Sequence, residues 1–124
     1  MKYLVLIYAN PVTWAHPMYL NDPAFLALPP DERDAIRQRA EALRKELVDS
    51  GELLGGEMLA APSRARTVRV RGKKKLVTDG PYAEAKEQLA GYVILDCATA
   101  ERATEIVATI PDARFSGIEI RPLT

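Results

Sequence analysis

Residues 79–87 read Asp79-Gly80-Pro81-Tyr82-Ala83-Glu84-Ala85-Lys86-Glu87, and a strongly apolar run, residues 89–97, follows almost at once. Asp-Gly-Pro is turn chemistry: glycine accepts backbone angles closed to other residues, and the proline ring stops an incoming strand. The run behind it is short and rich in Val, Ile, Leu and Tyr, so it reads as a strand. It carries apolar residues on both faces, and so do residues 3–9 near the start of the chain. Two strands that need cover on both sides dictate how the remaining elements must be arranged.

Between these strands, Pro29-Pro30 opens a helix predicted over residues 31–50. Asp31, Glu32 and Asp34 sit in its first turn, where the helix dipole favours negative charge. Ile36, Ala40, Leu43 and Leu47 recur at helical spacing as one apolar stripe, and Gly51 supplies the stop. Residues 53–59 read as a strand bulged at Gly55-Gly56. In residues 67–71 the alternation points Val68 and Val70 inward and Thr67, Arg69 and Arg71 outward. Gly72-Lys73 then turns the chain into residues 75–78. Thr99 caps a second helix with Ala103, Ile106, Val107 and Ile110 on its buried face, and Pro111 ends it. Residues 117–121 form the last strand, with Ile118 and Ile120 on one face and Glu119 and Arg121 on the other. Residues 10–30 hold Pro11, Pro17, Pro23, Pro29 and Pro30 and read as a long loop with little regular structure.

The order β, α, β, hairpin, β, α, β is that of a ferredoxin-like α+β sandwich with an added β-hairpin, in a single domain over residues 1–124. Its two helices can cover one face of the antiparallel sheet. Leaving a large apolar side chain in water forgoes about 1.5–3 kcal/mol, and several together make a patch that monomers rarely expose. A homodimer with two sheets packed face to face, a dimeric α+β barrel, is therefore expected.

The composition agrees with one folded domain: 124 residues, 48% hydrophobic and 27% charged. Seventeen basic and 17 acidic residues cancel, which removes the global pull that non-specific nucleic-acid binding needs. Cys97 stands alone, so no internal disulfide forms, and a reducing cytoplasm is the expected compartment. Residues 3–9 follow Lys2 as a signal sequence would, yet the run is short and lacks a small-residue cleavage site, so a buried strand is expected. No stretch has the length of a membrane span. The one nucleic-acid argument is Arg64, Arg66, Arg69, Arg71, Lys73, Lys74 and Lys75, uninterrupted by an acid. Against it, stacking aromatics are absent there, and edge cations discourage strand-to-strand aggregation.

Several residues carry chemistry. Asp79 can act as a general base or orient a ligand, or its carboxylate can simply bond nearby backbone N–H groups in the turn. Lys86, between Glu84 and Glu87, can hold an acidic ligand or exchange a proton if burial lowers its pKa; the alternative is a solvated loop. Arg121 can clamp a carboxylate or phosphate, or pair with Glu119. His16, the only histidine, lies near Trp14 and Tyr19 in the proline-rich segment; it is either a general base in a loop folding over a cleft or an incidental surface residue. The candidates are therefore Asp79, Lys86 and His16 for catalysis and Trp14, Tyr82, Glu84 and Arg121 for ligand contact. One histidine and one cysteine make no metal site, and no phosphate-binding glycine loop or nucleophile elbow is present, so no cofactor is expected.

Residues 79–87 resemble the Asp-Gly-Pro-Phe-Ala-Glu-Thr-Lys-Glu signature of the DGPF branch of the YCII-related family, with Tyr82 for Phe and Ala85 for Thr. The similarity extends through residues 1–8, Trp14, residues 47–56, Thr67-Val68-Arg69, Val77-Thr78, Leu89-Ala90-Gly91-Tyr92 and Glu119-Ile120-Arg121-Pro122. The resemblance implies a dimeric α+β barrel with a ligand cleft between sheet and helix, and no settled activity. In the YCII-related branch, a first-helix histidine and an aspartate after the middle strands are paired as acid and base. Here Asp79 matches the aspartate, and Ala40 falls at the histidine position. DGPF-type proteins are often encoded beside extracytoplasmic-function sigma factors. A homodimer binding a small polar metabolite, with acid–base activity, thus stands beside an alternative: a non-catalytic regulatory module that binds a protein such as a sigma factor.

Overall fold

The computed structural model describes residues 1–124. The strands are β1 (Lys2–Ala9), β2 (Leu53–Met58), β3 (Arg66–Arg71), β4 (Lys74–Asp79), β5 (Gln88–Asp96) and β6 (Gly117–Pro122). The helices are α1 (Pro23–Leu26), α2 (Pro30–Ser50), α3 (Ala100–Ala108) and α4 (Pro111–Phe115). Four strands form one antiparallel sheet in the order β2-β5-β1-β6, while β3 and β4 pair only with each other. Because β5 lies between β1 and β2, and β1 between β5 and β6, the two βαβ units interleave. This is the ferredoxin-like α+β arrangement, with the hairpin inserted between β2 and β5.

Local chemistry explains the element boundaries. Gly51 sits at φ 78°, the left-handed cap that ends α2, and its N–H donates to Val48 O at 3.1 Å. Thr99 Oγ1 accepts from Arg102 N at 3.1 Å and opens α3. The register of β2 on β5 slips between Leu53 and Gly55, so the bulge falls at Leu54, just before the Gly55-Gly56 pair where it was expected. Gly56 lies so close to β5 that a Cβ there would meet Tyr92 O at 2.3 Å.

Both long helices lie on one face. Tyr3, Val5, Leu95 and Cys97 pack there against Leu47 of α2 and Ala103, Ile106 and Val107 of α3, and Ile118 and Ile120 join from β6. On the opposite face Leu4, Leu6, Tyr8, Tyr92 and Ile94 are only half-buried. Glu57 and Glu119 edge that apolar strip through the β2 and β6 registers. The single chain thus leaves the second sheet face uncovered.

Three expectations need correction. Val68 and Val70 do not point inward: they are 58% and 67% exposed, and Arg69 on the other face is exposed as well. The alternation holds, but the hairpin lies outside the main sheet, so neither of its faces meets the core. Pro111 does not merely end the second helix; α3 stops at Ala108, and Pro111 begins α4, whose first turn tolerates proline. Residues 10–30 are more ordered than their prolines suggest. They hold a 3-10 turn (Met18–Asn21) and α1, and they bury Met18, Tyr19 and Phe25.

Candidate functional site

The proline-rich segment leaves the end of β1 and returns under α4. Aromatic edges hold it there: Phe25 packs T-shaped on Tyr19 at 5.3 Å and on Phe115 at 5.6 Å. Short polar bonds shape its turns. Asn10 Oδ1 accepts from Val12 N at 3.0 Å, Asn21 Nδ2 donates to Ala15 O at 2.9 Å, and Asp22 Oδ1 accepts from Ala24 N at 2.8 Å. Between this segment and α4 lies a cleft of about 320 Å³, lined by polar groups including Thr13, Tyr19, Asp22, Asp112 and Ser116. Ser116 Oγ, at the exit of α4, lies 2.6 Å from Tyr8 O and ties the cleft wall to β1.

Two ionisable groups in this cleft are displaced from their ordinary ranges. Burial pushes the Asp112 carboxyl upward, opposed by its backbone N–H and by the charge of His16. Burial likewise raises the Tyr19 phenol, reinforced by the Asp112 charge. His16 Nε2 lies 2.7 Å from Leu59 O. A carbonyl only accepts, so Nε2 carries the proton and Nδ1 of the neutral ring is left as the acceptor. Trp14 Nε1 donates to the same carbonyl at 3.0 Å, and the two rings meet edge to face at 5.9 Å. Leu59 N in turn donates to Ala90 O at 2.8 Å, so the loop is pinned to β5.

A second, wider cleft of about 630 Å³ lies at the base of the hairpin. Tyr8, Leu59, Ala65, Pro81 and Tyr82 line it, with Arg64 and Glu87 as charged groups. Gln88 Nε2 donates to Ala83 O at 3.0 Å and Ala85 O at 3.2 Å, which folds the signature segment into a closed loop. Gly80, at φ 113°, donates its N–H to Ala65 O at 2.8 Å.

The structure brings some of the sequence candidates together and separates others. Trp14 and His16 meet at Leu59, a wall of the wider cleft that Tyr82 also lines. Tyr82 is 80% exposed, with the Arg69 guanidinium 5.1 Å from its ring centre. Asp79, Glu84 and Lys86 are exposed and line neither cleft. The Asp79 carboxylate makes no bond to a turn N–H; backbone and Thr67 bonds to Gly80 hold that turn instead. Arg121 lies opposite Leu4 on the uncovered sheet face, and its Nε donates to Glu119 Oε2 at 2.8 Å. At about 3.4 Å per residue, it stands roughly 14 Å along the strand from Tyr8.

Asp112 and Tyr19 are the members that sequence reasoning missed. Pro111-Asp112 was a usable signal, because a proline followed by an acid is also how a helix begins. No group of three or more His, Cys, Asp or Glu side chains is placed to share a metal ion. Cys97 is buried, and burial pushes its thiol upward, away from thiolate chemistry. No helix is long and apolar enough to cross a membrane.

An uncharacterised protein of Rhizobium meliloti (strain 1021) is 32% identical to this chain over 95 residues, 75% of this chain and 77% of that protein. The solved structure of 5-chloro-2-hydroxyhydroquinone dehydrochlorinase from Burkholderia phenoliruptrix AC1100, in complex with 2,5-dihydroxybenzoquinone, is a distant likeness. It superposes with a TM-score of 0.48 at 11% identity, over 100% of this chain and 94% of that one. The signature of the YCII-related domain matches residues 1–124, and the chain belongs to the YCII-related family.

Proposed function

We propose that the protein is a homodimer that binds a small polar molecule in the cleft between the proline-rich segment and α4, and that this cleft supports proton transfer. The observation that carries this reading is the gathering of Tyr19, Asp22, Asp112 and Ser116 around one opening, where burial raises the Asp112 carboxyl. Clefts that hold burial-shifted acids beside convergent polar groups are where acid–base work is found. Asp112, kept protonated further up the pH scale than an ordinary aspartate, is the acid that donates to an oxygen of the ligand. His16, held to Leu59 O through Nε2 on the wall of the wider cleft, lies outside the lining of this one. Ligand-detected NMR against a set of small hydroxy acids, amino acids and phenols tests this. Binders are expected to shift the amides of Thr13, Tyr19 and Ser116 and to weaken in Asp112→Asn. Binders that map elsewhere, or that ignore this substitution, would refute it.

A second reading places the ligand at the signature segment. It is favoured by Asp79, Glu84 and Lys86, whose charges have no ion-pair partner within the chain. Binding abolished by Asp79→Asn or Lys86→Ala but retained in Asp112→Asn selects this alternative.

A further inference from the structure

The cleft between the proline-rich segment and α4 carries charged groups of one sign. Asp22 and Asp112 line it, and no Lys, Arg or His does. The nearest cations stand outside its lining. Arg37, whose charge acts on Tyr19, is paired with Asp34; Arg114 is exposed, with its guanidinium 5.1 Å from the centre of the Phe115 ring; His16 is held at Leu59 O. An anion entering the cleft meets two carboxyl groups and no counter-charge on the wall, whereas a cation meets its complement.

The hydrogen bonds of the wall lean the same way. Ser116 Oγ lies 2.6 Å from Tyr8 O and 3.0 Å from Asp112 O, so its proton is spent within the chain and its lone pairs remain. Asn21 Nδ2 donates to Ala15 O at 2.9 Å, which leaves Oδ1 as an acceptor. Asp22 Oδ1 takes the Ala24 N–H at 2.8 Å, and Oδ2 has no partner in the chain. An ammonium only donates, three times over, and suits such a surplus of acceptors. The remaining donors, Asn10 Nδ2, the Thr13 and Tyr19 hydroxyls and the Asp112 carboxyl, serve a ligand oxygen. Ala9 and Met18, both buried, and Phe115 form the apolar wall. At about 320 Å³ the cleft is at the small end of the ligand-site range of about 300–1,000 Å³, so the carbon body it accepts is short.

We propose that this cleft selects a small primary amine that bears a hydroxyl or carbonyl oxygen and no acid group, with its ammonium on Asp22 Oδ2, its oxygen on the Asp112 carboxyl and its carbon body against Met18 and Phe115. This deepens the cleft reading above and rests on it. It excludes hydroxy acids and amino acids, because their carboxylate would enter a wall that offers Asp22 and no Lys or Arg.

Amide-detected NMR titration with two matched series tests the class. One series is ethanolamine, ethylene glycol and glycolate; the other is tyramine, tyrosol and para-hydroxyphenylacetate. Within each, only the ending changes, from ammonium to hydroxyl to carboxylate. In at least one series the amine is expected to shift the amides of Thr13, Tyr19 and Ser116, with a dissociation constant about tenfold or more below that of the carboxylate. Asp22→Asn keeps an acceptor for Ala24 N, since asparagine caps a helix as well as aspartate does, and should erase that preference. Raising salt from about 50 mM to about 500 mM should shrink it in wild type. A carboxylate that binds at these amides as tightly as its amine, or an amine preference that survives Asp22→Asn, overturns the ammonium class and leaves the cleft reading standing. Binders whose shifts map instead to Leu59 and Tyr82 overturn both. No shift at these amides from either series also overturns the ammonium class, and the cleft reading is then decided by the wider ligand set above.

Discussion

Replacing Phe25 with alanine should loosen the cleft before it unfolds the sheet. Phe25 is 1% exposed, yet it lies outside the main helix–sheet core; its ring joins Tyr19 of the proline-rich segment to Phe115 of α4. Truncating a buried phenylalanine costs about 3–5 kcal/mol. Two edge-to-face pairs account for about 0.5–1.5 kcal/mol each of that kind of loss. Phe25→Leu, which keeps most of the volume, should therefore lose about 1–3 kcal/mol. Against a total stability of about 5–15 kcal/mol, the alanine variant is severe. With a urea slope of about 2 kcal/mol/M, a loss of about 4 kcal/mol moves the midpoint by roughly 2 M. Opening of residues 10–26 alone can relieve part of the strain, so amide exchange there should accelerate more than in β1 and β5. The cleft should also lose its low-polarity character, and the Asp112 carboxyl should return toward 3.8, its ordinary value. Urea unfolding followed by circular dichroism, hydrogen exchange and carboxyl NMR measure these effects. A loss under about 1 kcal/mol with Asp112 still raised would show that Phe25 does not hold the cleft together.

Other expectations follow from single contacts. Because the folded-state pKa of Asp112 is raised, its contribution to stability is full below 3.8 and is lost as pH rises through the folded value. Asp112→Asn should therefore match wild type in acid and exceed it at neutral pH in urea melts; equal pH profiles would contradict this. Glu52 behaves oppositely. Arg102 Nε donates to its Oε2 at 2.9 Å and holds its pKa near about 2, below the ordinary 4.5, so its contribution exists above 4.5 and disappears as pH falls toward 2. Arg102→Ala should return Glu52 toward 4.5 by carboxyl NMR, with a small stability change because water screens the exposed pair. Gly56→Ala would force a Cβ to 2.3 Å from Tyr92 O and 2.8 Å from Val93 Cα, and should cost about 1–3 kcal/mol or more. Gly55→Ala meets nothing within 4 Å and should melt within about 0.5 kcal/mol of wild type.

Local physics made much of the fold readable. A left-handed glycine after an apolar stripe ends a helix in any context, and Gly51 does so here. Thr99 caps through its own hydroxyl, and the alternation in β6 divides Ile118 and Ile120 from Glu119 and Arg121 as read. The hairpin shows where such reading stops. Alternation establishes that Val68 and Val70 share a face, but whether either face meets the core depends on the sheet the strand joins. The site shows the same limit. Trp14 and His16 converge on a carbonyl 45 and 43 positions away, and no spacing signals that.

What the chain determined by itself is the succession of elements and the excess of apolar surface on two strands, because both arise from periodicity and from the angles that glycine and proline allow. Only the tertiary structure decided that α4 and the proline-rich segment would enclose Asp112 and Tyr19, and that the signature charges would stay in water. Burial is a property of what folds over a residue, and a carboxyl has no shifted pKa until distant segments exclude water from it.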